Sequence, residues 1–324
     1  MRAALLTDSK YGALLNNFSL QKESIASDLQ SAGALDMLEL REQSVYEPSA
    51  LDVHVVSEQA MKFPKHLQMY TYEKGNISTF KPTKPDASKR LGYYLMDAAS
   101  LLPVLALDLQ PHCSVLDMCA APGGKSLAIM QSLLPSRLVC VDHSYARISR
   151  LKSVLRNYLP ADDSLQLGGC PQVVHLDANI YCAKSDPQDV FDRVLVDVPC
   201  FADRHALYDE TNMFQPKRMP ERLNIQNLQR KLLFNGILKC RPGGTIVYST
   251  CTLSPPQNDG VIQATIEKLS TETDAQVVIQ NTTPIAQSFS ETFVFHKCRF
   301  GHLVIPNLTA NFGPTYFCQL KRTK

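Results

Sequence analysis

From Tyr93 onward, short apolar runs alternate with longer amphipathic stretches. "SVLDM" from Ser114, "RLVCV" from Arg137, "QVVHL" from Gln172, "DRVLVDV" from Asp192 and "GTIVYST" from Gly244 read as buried strands. Between them, "SYARISRLKSVLRNYL" and "RLNIQNLQRKLLFNGILKC" carry apolar residues at helical spacing. Parallel strands need long crossover connections, which helices supply. The alternation therefore dictates an α/β fold, a mostly parallel sheet covered by helices on both faces. "YYLMDAASLLPVLAL" reads as a helix entering this domain, and "AQVVIQ" and "PTYFCQLKR" as further strands.

The first ninety residues follow another pattern. "YGALLNNF" and "LQKESIASDLQSAGALDMLEL" read as helical, and "FKPTKPDASKRLG" gathers Pro, Lys and Ser as an extended connector would. The expectation is a helical cap and linker over 1–90, followed by the main domain over 91–324. With 44% hydrophobic and 20% charged residues, the chain can bury a sizeable core. Its strongest apolar run, "LLPVLALDL", is interrupted by Pro103 and Asp108 and falls short of a membrane span. A net charge of +2 permits a local basic patch but excludes a dedicated, strongly basic nucleic-acid binder. Ten cysteines without a CxxC pair, and eight scattered histidines, indicate reduced intracellular thiols and argue against structural zinc.

"SVLDMCAAPGGKSLAIM" places a strand, a loop of small residues and a helix in succession. Small side chains let backbone approach a ligand, and a helix N-terminus offers free N–H groups. The stretch is neither the GxGxxG dinucleotide fingerprint nor the GxxxxGK[ST] phosphate loop. The next strand ends in Asp142, about twenty residues on, where an acid can accept ribose hydroxyls. Asp177 and Asp197 also follow strands, and all three acids should converge beyond the carboxyl ends of the sheet. One strand-end acid alone would be a helix cap. Three beside this loop indicate a nucleoside cofactor.

"LDMCAAPGGKS", "VLVDVPC" and "YSTCTLSPPQND" resemble, in order and spacing, the three motifs of the NSUN-type (Nop/Sun) RNA cytosine-C5 methyltransferases. "KYGALLNNF", "DVPCFADRHAL" and "IPNLTANFGPTYFCQLKR" are similar to the family's mitochondrial ribosomal-RNA branch. The resemblance implies a Rossmann-like fold that uses S-adenosylmethionine. It implies that Gly123, Gly124, Lys125 and Ser126 hold the methionine end of the cofactor. Asp142 would take the ribose, supported by Arg147, and Asp177 would lie by the adenine, with Asp197 closing the same crevice.

Cytosine C5 is a poor nucleophile until a thiolate adds to C6, which makes covalent catalysis the natural route. Cys251 and Cys200 are the candidate thiols. In DNA cytosine-C5 methyltransferases the Pro-Cys cysteine attacks, whereas in the resembled RNA family the Thr-Cys cysteine does. That resemblance assigns attack to Cys251 and product release to Cys200. Asp197 would meet the cytosine N3 edge as a proton donor raised by burial. A helix starting at Pro255 would lower Cys251 through its positive end. Cys113, Cys140, Cys240 and Cys318 read as inert packing thiols.

Lys217, Arg218, Arg222, Arg230 and Lys231 could touch phosphates, although a charged helix face is more often simply solvated. Arg204 and His205, close behind Cys200, are better placed to meet the target nucleotide. The resemblance implies a helical-repeat partner of the mitochondrial transcription-termination-factor family and a mitochondrial matrix location. "MRAALLTDSK" is a poor leader, so a leader is expected upstream of the given sequence. Same-chemistry methylation of tRNA and a mainly non-catalytic ribosome-assembly role stand as alternatives. A nicotinamide dehydrogenase would fit the sheet but not the loop or the cysteine pair.

Overall fold

The computed structural model describes residues 1–39, 63–160, 170–209 and 212–324. Its strands are β1 (Gly12–Leu15), β2 (Leu35–Asp36), β3 (Met69–Thr71), β4 (Tyr93–Met96), β5 (Ser114–Asp117), β6 (Arg137–Asp142), β7 (Gln172–His175), β8 (Phe191–Asp197), β9 (Cys240–Thr250), β10 (Val277–Ile279), β11 (Phe295–Lys297), β12 (His302–Val304) and β13 (Thr315–Arg322). Among the described residues, nine of these form one sheet in the order β11-β12-β13-β9-β8-β5-β6-β7, with β10 also pairing to β13. The run β7-β6-β5-β8-β9 is parallel. The strands beyond β9 are antiparallel to their neighbours. The order reverses between β5 and β8, and such a switch point opens a crevice at the carboxyl ends of the strands.

Side chains along each parallel strand alternate between two cores. Val115, Leu138, Cys140, Leu195 and Val247 join Leu127, Ile148 and Leu151 on one face. Leu116, Val139, Val141, Val194, Val196 and Ile246 join Leu232, Ile237 and Ile262 on the other. Thus the helices Gly124–Gln131 and Tyr145–Tyr158 cover one side, while Met219–Lys239 and Asp259–Glu272 cover the other. The expected α/β architecture is what the chain forms.

The N-terminal part departs from the helical cap expected over 1–90. Helix Lys22–Ser31 is present, but β2-β3-β1-β4 form an antiparallel four-stranded sheet. "GALL" within "YGALLNNF" is β1, buried throughout, and "YYLM" is β4 rather than the start of a helix. Helical structure in that stretch is limited to a 3-10 turn, Ala98–Leu101, and helix Leu102–Ala106. The pairing Gly12↔Met96 through Leu15↔Tyr93 crosses the boundary expected at residue 90. The last residue of the second expected helical run, Leu40, lies outside the described residues. No helix among the described residues is long and apolar enough to cross a membrane.

Candidate active site

β5 ends at Asp117, and the chain turns through the small-residue loop into helix Gly124–Gln131. Gly123 caps that helix with φ +114°, and a Cβ there would stand 2.9 Å from Leu151 Cδ1. At Gly124 a Cβ would meet Tyr94 at 3.1 Å. The glycines thus let the helix start pack tightly and leave its backbone bare on the crevice side.

Asp142, at the end of β6, is buried. Its carboxylate accepts from the Ala121 N–H at 3.2 Å and the Ser144 N–H at 3.0 Å. Arg147 stands 3.4 Å from Asp142 Oδ2 and donates to the Ala121 carbonyl. Arg147 therefore ties the loop to the acid. A carboxylate has about four acceptor sites, so Asp142 keeps capacity for hydroxyls. Asp177 accepts from Asn179 N–H at 2.7 Å and caps helix Ala178–Lys184, the local role open to any strand-end acid.

Ser126 is fully buried and donates to Asp117 Oδ2 at 2.7 Å, so it holds an acid of the crevice floor rather than facing a ligand. Asp117 itself was not among the expected site residues. Burial pushes its carboxyl up to about 7, and its Oδ1 has no hydrogen-bond partner. A buried polar atom without a partner is costly and calls for an explanation. The bare glycine turn, the ribose-ready Asp142 and this open acceptor together fit a nucleoside cofactor bearing an amino-acid tail.

Across the crevice, β8 ends in Asp197 and β9 leads directly into Cys251. The sulfurs of Cys200 and Cys251 are 3.1 Å apart, and the Cys251 N–H lies 3.3 Å from the Cys200 sulfur. Cys200 is half-buried and Cys251 exposed, so the pair lines an open cleft. The hydrogen bond from Cys251, aided by the Ala202 and Cys251 backbone N–H groups, holds Cys200 below the usual thiol range despite burial. Cys251 is pushed up, first because it donates that hydrogen bond and then because the protein packed behind the exposed sulfur displaces part of its water. This corrects the expectation of a lowered Cys251. The helix expected from Pro255 starts only at Asp259, behind a 3-10 turn at Pro255–Gln257.

Asp197 also differs from expectation. It is part-exposed, and its oxygens accept from Lys125 Nζ at 2.8 Å and Ser249 Oγ at 2.7 Å. In this arrangement it serves as an acceptor. Burial alone would lower Lys125, but Asp197 outweighs it and keeps the ammonium charged.

Residues invisible to motif reading fix the two thiol loops. Asp203 Oδ2 accepts from Thr252 Oγ1 at 2.9 Å and Leu253 N–H at 2.6 Å, clasping one loop to the other. Gln229 donates to the Pro199 carbonyl at 2.8 Å. Asn258 accepts from Thr250 Oγ1 at 2.7 Å and donates to the Thr252 carbonyl at 3.0 Å. Arg204, expected to face the nucleotide, is buried and spent elsewhere. It donates to Gly313 O at 2.8 Å, Asn311 Oδ1 at 2.7 Å, and the Ala4 and Thr7 carbonyls at 3.2 Å. Its neighbour His205 is exposed. Arg218 pairs with Glu221, and Arg230 with Asn227, on the exposed helix face. Cys113, Cys140, Cys240 and Cys318 are buried, and burial pushes each thiol up, as packing thiols require.

The sheet order, the crevice and the paired thiols define a Rossmann-like methyltransferase of the S-adenosylmethionine-dependent class. The family model for the 16S rRNA methyltransferase RsmB/F matches residues 104–305. The chain belongs to that family and is an RNA cytosine-C5 methyltransferase. It is 41% identical over 326 aligned positions to the 5-cytosine rRNA methyltransferase NSUN4 of Mus musculus, covering 99% of this chain and 83% of that protein. The mitochondrial tRNA (cytosine(34)-C(5))-methyltransferase of Mus musculus is 36% identical over 279 positions, covering 83% of this chain and 74% of that protein. The crystal structure of NSun6 from Pyrococcus horikoshii with SFG superposes with a TM-score of 0.61 at 15% identity, covering 99% of this chain and 93% of that one.

Proposed function

We propose that this enzyme methylates carbon 5 of cytosine in mitochondrial small-subunit ribosomal RNA, through a covalent adduct on Cys251. The observation that carries the reading is the pair of sulfurs 3.1 Å apart, set across the crevice from the cofactor loop. Bound S-adenosylmethionine supplies the electrophilic methyl group. Gly123 and Gly124 let the backbone approach its amino-acid end, with Lys125 at the border of that site. Asp142 takes the ribose, Asp177 the adenine side, and Asp117 Oδ1 a donor of the amino-acid tail.

When the pair carries one negative charge it rests on Cys200, the lower thiol, so attack by Cys251 begins with transfer of its proton to Cys200 across the 3.1 Å hydrogen bond. The Cys251 sulfur then bonds to C6, and the ring electrons move toward N3, where the Lys125 ammonium, held in place by Asp197, meets the developing charge. C5 would take the methyl group as its bond to the sulfonium sulfur breaks. Cys200 has meanwhile lost its proton to water through the open cleft. It now accepts the C5 proton as the C6–S bond breaks and Cys251 leaves. A second assignment, attack by Cys200, is favoured by one observation, its lower thiol.

The ribosomal substrate is supported by the higher identity and fuller coverage of the rRNA-modifying relatives than of the tRNA-modifying one. The mitochondrial location draws on the printed name of the tRNA relative and on sequence resemblance. A contribution to ribosome assembly and a helical-repeat partner of the transcription-termination-factor family complete the proposal. The near-neutral charge of the chain suits shared RNA binding.

The test uses methyl-labelled S-adenosylmethionine with small-subunit mitochondrial rRNA and tRNA, and three proteins: wild type, Cys251→Ala and Cys200→Ala. Label at cytosine C5 of rRNA, lost in Cys251→Ala, with an RNA adduct trapped on a denaturing gel in Cys200→Ala, is the expected result. An adduct in Cys251→Ala instead would reverse the two cysteines. Label confined to tRNA would move the substrate. No label, even with the helical-repeat protein added, would favour the assembly role.

A further inference from the structure

Phe201 directly follows Cys200, and its ring packs against Phe214 with centroids 5.3 Å apart. Phe214 remains 51% exposed. The Arg222 guanidinium lies 6.0 Å from the Phe214 ring centroid, within reach of a cation–π contact. Arg222 also donates to the Met213 and Phe214 carbonyls at 3.4 and 3.3 Å, which pins this segment to the first turns of helix Met219–Lys239. In the same stretch of chain, from Phe201 to Leu223, the side chains of Leu207, Tyr208, Met219 and Leu223 are exposed. His205 and Lys217 in that stretch are exposed too, and Arg218 is engaged with Glu221.

Exposed apolar groups scattered singly need no explanation, but a group gathered next to a reactive thiol does. A half-bare ring with a guanidinium beside it and cations at its rim matches single-stranded nucleic acid. Bases stack on such rings while phosphates meet the cations. Chemistry at cytosine also requires the target out of its stack, which leaves a neighbouring base with a free face close to Cys200.

We propose that Phe214, backed by Phe201 and Arg222, is a stacking subsite for an unpaired base adjoining the target cytosine. The inference rests on the reading of the chain as an RNA methyltransferase. It concerns a subsite outside the thiol cleft and the cofactor crevice.

The experiment measures kcat/KM on rRNA fragments for wild type, Phe214→Leu and Phe214→Tyr, with thermal midpoints recorded for each. Leucine keeps the apolar bulk and removes the ring, whereas tyrosine restores the ring. Phe214→Leu should lose about tenfold in kcat/KM, carried by KM, and Phe214→Tyr should recover it. An abasic nucleotide at one flanking position should cost wild type a similar factor and cost Phe214→Leu almost nothing more. Equal kcat/KM for Phe214→Leu and wild type overturns the proposal. So does an abasic penalty that multiplies with Phe214→Leu at every flanking position. Absence of any methylation by wild type would sink the parent reading instead, so the two failures are distinguishable.

Discussion

The cofactor crevice and the thiol cleft lie on the same edge of one sheet, yet they are built differently. In the crevice, Asp142 and Asp117 are buried and Asp177 half-buried, and all three are held by donors near in sequence: Asp142 by Ser144, Asp177 by Asn179, Asp117 by Ser126. In the cleft, solvent reaches the sulfurs, and the geometry comes from distant side chains. Asp203 clasps Thr252, Gln229 holds Pro199 and Lys125 reaches Asp197. Local bonds and burial make a crevice whose residues weigh on stability. Long-range clasps make a cleft whose residues weigh on rate.

Asp117 offers the largest test of that contrast. Its folded carboxyl is raised to about 7, above the unfolded value near ~3.9, so the folded state keeps a proton that the unfolded state releases. Stability is therefore full below pH ~4 and falls as pH rises to about 7, by at most ~4 kcal/mol for a shift of this size. Thermal midpoints of wild type and Asp117→Asn, measured without cofactor from pH 4 to 8, should diverge, with wild type losing ground. A pH-independent difference would break the contrast from the crevice side.

Lys125→Met tests the cleft. Losing a charged donor to the reacting centre should lower kcat about 100-fold. The thermal midpoint should move far less than the rate. A large midpoint loss with an intact rate would mean that the Lys125–Asp197 pair is structural.

The smallest effect is expected at the Asp203 clasp. Asp203→Asn keeps the shape but weakens acceptance from Thr252 Oγ1 and Leu253 N–H, worth about 1 kcal/mol. Because the clasp sets the spacing of the two thiols, the pH profile of methylation should shift along with a fivefold to tenfold drop in rate. A drop without a change in the profile would place Asp203 in general folding rather than in thiol positioning.

The same contrast explains what could be read in advance. The parallel strands were legible because burial on both faces demands continuous Val, Leu and Ile runs. The positions of Asp142 and Asp177 after strands, and the glycine turn, were legible because they follow from immediate neighbours. β1 and β4 were misread because "GALL" and "YYLM" are too short for either periodicity to show. The cysteine pair could be named from its motifs, but its shared proton could not. That follows from two loops meeting at 3.1 Å across a sequence separation of 51. Asp203 and Asn258 stand inside the quoted motifs, but nothing local to them or to Gln229 shows which loop each one holds. Arg204 misled because sequence shows the charge and not the carbonyls that surround it.

Arg204 also bears on how the molecule comes together in time. Its carbonyl partners Ala4, Thr7 and Gly313 are 200, 197 and 109 residues away. Contacts of such separation form after local ones, since closing long loops costs chain entropy before any bond repays it. The short helix Asp203–Ala206, just behind Cys200, is thus seated only when both chain ends have arrived. The thiol cleft, which this helix backs, is therefore among the last parts of the molecule to be set.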